Sequence, residues 1–434
     1  MTAGNGRGVG TAGSVGTADS VAEIAEIAIG GEIAVDLGVG EQGFDAGRLV
    51  AVDRFLRRYV DQGQLPGWSL LISRNGEVAH HSRYGYRDRE AGLPIEPDTL
   101  FRIYSMTKPV TSVAAMMLYE QGAFDLNDPV SRFIPEFEDV RVYAGGTATN
   151  PSTVPAAEPI RIRHLLTHTS GLTYGFNRQH PVDQLYRSAG FDIGGPAGMD
   201  LAACCAAWAR LPLLFQPGSA WNYSISTDVL GRVVEVLSGQ SLEDFFQDRI
   251  FGPLGMTDTG FAVSPSQRNR LAALYGPPLA RGGTLRRAGA DLADGVSFLS
   301  GGGGLVGSIG DYHRFTQFLL RGGELDGQRL LGNRTVGYMV RDHLPAGIDL
   351  AEAGKPGQGF GLGFAVLLDP TRSAIIGSRG EFGWGGAAST TFWVDPVEKM
   401  TVIFMTQLYP SGTYPLRSQL RQLIYAALVD QIPS

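Results

Sequence analysis

Cysteine is almost absent from this 434-residue chain: only Cys204 and Cys205 occur, side by side. Adjacent cysteines rarely pair, so no disulfide framework is expected, and both read as small buried apolar side chains. Lysine is nearly as scarce, with Lys108, Lys355 and Lys399 the only three among 36 basic residues. The net charge of −7 is spread without a basic cluster, which argues against nucleic acid and anionic membrane as partners. No window approaches about 18 uninterrupted apolar residues, so no membrane span is expected. Residues 1–16 lack the basic end and apolar run of a secretory signal, and a cytoplasmic protein is the default expectation.

What is present is an ordinary globular composition, 43% hydrophobic and 18% charged. Residues 1–45 read as a flexible Gly/Ala-rich leader and 46–430 as the folded domain. Leu49, Val52, Phe55, Leu56, Tyr59 and Val60 recur at helical spacing. Strand candidates at 68–73 and 77–86 follow, joined by Arg74-Asn75-Gly76, and Asn-Gly tolerates the positive φ that a tight hairpin needs. The chain closes with apolar runs at 361–368, 373–377, 388–394 and 400–408 and an amphipathic helix at 417–429. The expected fold is α/β: one antiparallel sheet from both chain ends, flanked by helices (46–125 and 290–430), with a mostly helical insertion at 126–289. Stretches 143–158 and 174–198 read as Pro/Gly-rich loops lining a cleft.

Phe101-Arg102-Ile103-Tyr104-Ser105-Met106-Thr107-Lys108-Pro109 contains Ser-x-x-Lys and opens an apolar helix. Residues three apart on a helix share a face, which sets the Ser105 hydroxyl beside the Lys108 amine. Pro109 fits a first helical turn, so the pair sits at the positive helix end. There the dipole and burial both disfavour an ammonium, suiting Lys108 to take the serine proton. Gly-x-Ser-x-Gly does not occur, which removes the nucleophile elbow of α/β-hydrolases. Further along, Trp221-Asn222-Tyr223-Ser224-Ile225-Ser226 offers a loop tyrosine ahead of a helix. Gly383-Trp384-Gly385-Gly386-Ala387-Ala388 precedes a strand, where glycines allow close approach of substrate and an N–H is free for an oxyanion. His164 and His168 lie four apart without a third ligand, so a local structural role is expected and no metal or other cofactor is called for.

The order and spacing of these three elements resemble the superfamily of serine β-lactamases, D-alanyl-D-alanine peptidases and family VIII carboxylesterases. The segments Ile162-Arg163-His164-Leu165-Leu166-Thr167-His168-Thr169-Ser170-Gly171-Leu172, Phe251-Gly252-Pro253-Leu254-Gly255-Met256-Thr257-Asp258-Thr259 and Gly301-Gly302-Gly303-Gly304-Leu305 strengthen that resemblance. It implies Ser105 as acylated nucleophile, Lys108 as base, Tyr223 as proton relay, and backbone N–H groups of Ser105 and Ala387 as oxyanion hole. It further implies Tyr104, Ser224, Trp384, Gly385 and Gly386 as substrate-binding residues. Two departures matter: Ile225 stands where the nearest β-lactamases carry asparagine, and Trp384-Gly385-Gly386 replaces Lys-Thr-Gly. The second removes a cation and a hydroxyl that hold a carboxylate, and nothing in the motifs supplies another cation, though an arginine from elsewhere stays open. A neutral small-molecule ester of small or medium acyl chain is therefore the expected substrate. An amidase, peptidase, weak β-lactamase or acyltransferase of the same fold remains open, as does a non-catalytic binding or scaffold protein. Oligomeric state is not legible.

Overall fold

A computed structural model describes residues 33–37, 42–192, 194–196, 198–280, 283–288 and 296–429. Helix α1 (Ala46–Asp61) starts where Asp45 accepts a hydrogen bond from the Arg48 N–H at 2.8 Å, and it buries Leu49, Val52, Leu56 and Val60. Strands β2 (Gly67–Arg74) and β3 (Glu77–Asp88) follow as an antiparallel hairpin. At its turn Asn75 has φ 54° and Gly76 φ 88°, the left-handed pair that the Asn-Gly dipeptide favours.

The main sheet is antiparallel and drawn from both chain ends. Strand β1 (Ala34–Leu37) pairs with β3, β3 with β2, and β2 with Met400–Thr406. Thr391–Asp395, Phe382–Gly385, Ala365–Leu367 and Gln358–Phe360 then continue it in that order. Side chains alternate across it. Leu70, Ile72, Val402 and Phe404 pack on one face with α1 and the C-terminal helix Leu416–Ala426. Leu71, Ile403 and Met405 pack on the other with helix α2 (Thr107–Glu120) and helix Ile309–Leu320. Covered on both faces, β2 is buried along its whole length.

Four expectations change. Part of the leader, Ala34–Leu37, is an added edge strand; residues 1–32 and 38–41 lie outside the described residues. The apolar run at 361–368 divides into the short strands Gln358–Phe360 and Ala365–Leu367, with Gly363 at φ 101° in the turn between them. No strand forms at 373–377: Asp369 caps a short helix Pro370–Ser373 instead, and Ala374 leaves it in the left-handed region. The strand in that part of the sheet is Phe382–Gly385. The supposed loop 143–158 is largely a hairpin, Arg141–Thr147 with Asn150–Pro155, and 174–198 includes helix Pro181–Ser188. Between the sheet-forming ends, helices Leu201–Trp208 and Ser226–Ser238 belong to the helical region, with Ser226–Ser238 packed on α2. Cys204 and Cys205 are buried free thiols.

Candidate active site

Ser105 occupies a 3₁₀ turn, Tyr104–Met106, that feeds directly into α2. Tyr104 enters it with φ 45°, a left-handed conformation that a tyrosine holds only when its surroundings over-determine it, at about 1 kcal/mol or more. Those surroundings are visible in the fastenings of the turn. Ile103 N–H donates to Leu305 O at 3.1 Å, Leu305 N–H to Thr107 Oγ1 at 3.1 Å, and Tyr312 Oη to Met106 O at 2.9 Å. The half-buried Tyr104 lies near Arg102 and Tyr409, and burial raises its phenol above the ordinary range.

Lys108 is 2% exposed, and its Nζ meets three oxygens: Gly302 O at 2.6 Å, Tyr174 Oη at 3.0 Å and Ser105 Oγ at 3.4 Å. The Ser-x-x-Lys spacing thus brings the two side chains together. Gly302 is held in turn by Asp228 on helix Ser226–Ser238, whose Oδ1 accepts from the Gly302 N–H at 2.9 Å and from Ser300 Oγ at 2.5 Å. Burial pushes the Asp228 carboxyl upward while the Lys108 charge opposes it. A Cβ on Gly302 would stand 2.4 Å from Asp228 Oδ2, and one on Gly301 2.8 Å from Thr227 O. The glycine run at 301–304 is therefore what lets this turn slide under the lysine.

Tyr223 packs over that amine, with Lys108 Nζ 4.6 Å from its ring centre. Around it stand Tyr174 (ring centres 5.4 Å apart), His168 (5.0 Å) and Trp384 (5.4 Å), with Trp221 and Phe360 behind. Trp384 Nε1–H reaches toward Tyr223 Oη at 3.5 Å. Burial raises the Tyr174 phenol, with Asp228 and Tyr223 adding to it, and lowers His168, with Lys108 adding to it. His168 is thus a neutral packing partner of the tyrosine, and His164 accepts the Arg161 N–H at 3.2 Å at the start of a short helix.

Three of the expected substrate contacts, Ser224, Gly385 and Gly386, are engaged with the protein itself. Ser224 is fully buried: its hydroxyl bonds His168 Nδ1 at 3.2 Å and Ser226 Oγ at 2.7 Å, and Ser226 bonds Ser170 Oγ at 2.7 Å. It ties down the loop that carries Tyr223 rather than meeting a ligand. Gly385 and Gly386 are glycines because the protein itself fills the space beside them. A Cβ on Gly385 would lie 2.3 Å from Arg417 Nη2; one on Gly386 would lie 2.5 Å from Ile103 O and 2.2 Å from Thr390 Oγ1. Trp384 and Gly385 sit within the strand, and Ala387 in the turn after it. Gly386 thereby packs this turn on the residue two before Ser105. Among the described residues the Ala387 N–H donates to no protein acceptor, while its carbonyl accepts from Ser411 N–H at 2.7 Å.

Residues 52–426 match the Beta-lactamase family. The chain belongs to that family. It is 32% identical to the esterase EstB of Burkholderia gladioli over 88% of this chain and 96% of that one. Among solved structures it resembles EstCE1, described as a hydrolase with promiscuous acyltransferase activity, with TM-score 0.76 and 31% identity over 87% of this chain and 98% of that one. It also resembles the simvastatin synthase LovD of Aspergillus terreus, with TM-score 0.74 and 26% identity over 89% and 98% of the two chains. These likenesses fit the antiparallel sheet with its helical insertion.

Four side chains at this β-lactamase-family site escaped the sequence reading: Tyr174, Asp228, Lys355 over the Trp384 ring, and Arg417 on the Gly386 carbonyl. Asp228 carried a faint signal, a lone acid beside the apolar run Val229-Leu230. Tyr174 carried none, because it reaches Lys108 from 66 residues away. Among the described residues no helix is long and apolar enough to cross a membrane.

Proposed function

We propose that the chain is a serine carboxylesterase in which Ser105 is the acylated nucleophile and Lys108 its base. The observation that carries this reading is the bonding of Lys108. Gly302 O at 2.6 Å and Tyr174 Oη at 3.0 Å hold Nζ in place, and Ser105 Oγ at 3.4 Å is its third partner, within reach for proton exchange. An apo contact of that length tightens as substrate enters.

Ser105 Oγ attacks the ester carbonyl while its proton passes to Lys108 Nζ. The oxyanion that forms is met by the Ser105 and Ala387 backbone N–H groups. The proton then passes, by way of the Tyr223 hydroxyl, to the departing alkoxide, which leaves as alcohol and an acyl-serine remains. Water, deprotonated by the same Tyr223–Lys108 pair, releases the acid and restores Ser105. An acceptor alcohol in place of water gives acyl transfer by the same steps. The likeness to EstCE1, a hydrolase with promiscuous acyltransferase activity, supports that second outcome.

β-Lactam cleavage is disfavoured by Ile225, which lacks the amide of Tyr-x-Asn, and by Trp384-Gly385-Gly386, which lacks the hydroxyl of Lys-Thr-Gly. The test is purified protein against p-nitrophenyl acetate, butyrate and octanoate, beside a chromogenic cephalosporin, with Ser105→Ala as control. Ester cleavage that falls by about 10³-fold or more in the variant, with little cephalosporin turnover, is expected. Equal ester cleavage in both proteins would remove Ser105 from the mechanism.

A further inference from the structure

Two of the chain's three lysines stand at this one site. Lys108 is saturated with partners; Lys355 is not. The Lys355 backbone is pinned, its N–H donating to Leu350 O at 2.8 Å, and its half-buried side chain brings Nζ to 5.1 Å from the Trp384 ring centre. Among the described residues Nζ has no carboxylate and no hydrogen-bond acceptor. Arg417, at the start of helix Leu416–Ala426, reaches the same strand end, with Nη2 donating to Gly386 O and Thr390 O at 3.0 Å each. It too meets no carboxylate among the described residues. Removal from water, with the Arg417 charge added, pushes the Lys355 ammonium down to about 8.

An ordinary surface lysine turns its amine to water and keeps its full charge. Here one cation lies over an indole and a second bonds the carbonyls that follow it in the chain, with no carboxylate on either among the described residues, and that indole is the ring that reaches Tyr223 Oη. Like charges held together cost free energy that an arriving anion returns, and a carboxylate accepts charge-assisted hydrogen bonds from an ammonium. We propose that Lys355, backed by Arg417, forms an anion subsite on the Trp384 wall that selects esters bearing a carboxylate. This rests on the esterase reading above and sharpens it: the cation lost from the strand position is supplied from the 350s loop. It replaces the neutral-ester expectation drawn from the motifs alone.

The carboxylate belongs to the acyl side or the alcohol side of the ester, and paired substrates separate the two. Mono-p-nitrophenyl glutarate is compared with p-nitrophenyl valerate, and 4-butyryloxybenzoate with phenyl butyrate, each corrected for the rate with Ser105→Ala. The expected result is a wild-type preference in kcat/KM for the anionic member of one pair. The anionic-to-neutral ratio should fall tenfold or more in Lys355→Met, mainly through KM, and be restored in Lys355→Arg. Equilibrium binding of the same anionic ester to Ser105→Ala and to Ser105→Ala/Lys355→Met, read by tryptophan fluorescence, gives an arm independent of turnover. Weaker binding without Lys355 supports the subsite even where no ester is cleaved, in which case only the esterase reading falls. Ester turnover with an equal ratio in wild type and Lys355→Met, or binding indifferent to Lys355, overturns the subsite and leaves the esterase reading standing.

Discussion

Lys108 and Lys355 both face the aromatic cleft, yet Lys108 has three oxygens around its amine and Lys355 has only the face of an indole. The Lys108 side is a closed lattice. Asp228 fixes Ser300 and Gly302, Gly302 fixes Lys108, and Thr107, Leu305 and Tyr312 fix the turn that carries Ser105. The Trp384 side is held by glycine contacts and by an arginine bonding two carbonyls, and its lysine is left over. A proton-transfer site demands fixed geometry, because small misplacement costs large factors in rate. A recognition wall gains from groups whose partner arrives with the ligand. The same side-chain type is thus used once as buried machinery and once as an open contact.

The floor of this comparison is tested through Asp228. Asp228→Ala leaves the buried Gly302 N–H without its acceptor, an expected loss of about 1–3 kcal/mol in stability. With the turn released from under Lys108, ester turnover should drop by about tenfold or more in kcat. Asp228→Asn keeps an acceptor oxygen and should recover most of the turnover. Failure of Asn to recover it would mean that the Asp228 charge, not its hydrogen bonds, supports Lys108. Denaturant unfolding and steady-state kinetics on the two variants decide the point.

A smaller effect is expected at the wall. Below about 8 Lys355 carries its charge, and as pH rises through that value the charge is lost. The anionic-to-neutral ratio of kcat/KM should therefore decline between about pH 7 and pH 9, while Arg417 remains charged throughout. In Lys355→Arg the decline should disappear. A ratio flat with pH in the wild type would mean that Lys355 does not set it.

What the sequence disclosed follows from how local each feature is. Ser105 and Lys108 are three residues apart, so helix geometry alone brought them together, and the Asn75-Gly76 turn was legible for the same reason. The sheet from both chain ends was legible because its strands alternate or run continuously apolar. The strand Phe382–Gly385 was missed because its interior is Gly-Trp-Gly, chosen for close approach to Phe392 and Arg417 rather than for strand propensity. Ser224 misled because its neighbour Tyr223 packs over the Lys108 amine, while Ser224 itself is buried against His168 and Ser226. Tyr174, Lys355 and Arg417 were invisible, and Asp228 nearly so, because each reaches the site from a separate segment and no spacing rule connects them. The missing Lys-Thr-Gly lysine suggested a wall without a cation from the motifs and left an arginine from elsewhere open; tertiary structure brings Arg417 to the Gly386 and Thr390 carbonyls and Lys355 to the Trp384 ring.

The central claim is that an acyl group passes through Ser105 Oγ. Wild-type protein mixed with p-nitrophenyl butyrate, quenched in acid within the first turnovers and digested, should yield a butyrylated peptide containing Ser105. Ser105→Ala should yield no butyryl adduct anywhere in the chain. A butyryl adduct on another side chain, formed at the rate of turnover and retained in Ser105→Ala, would contradict the account.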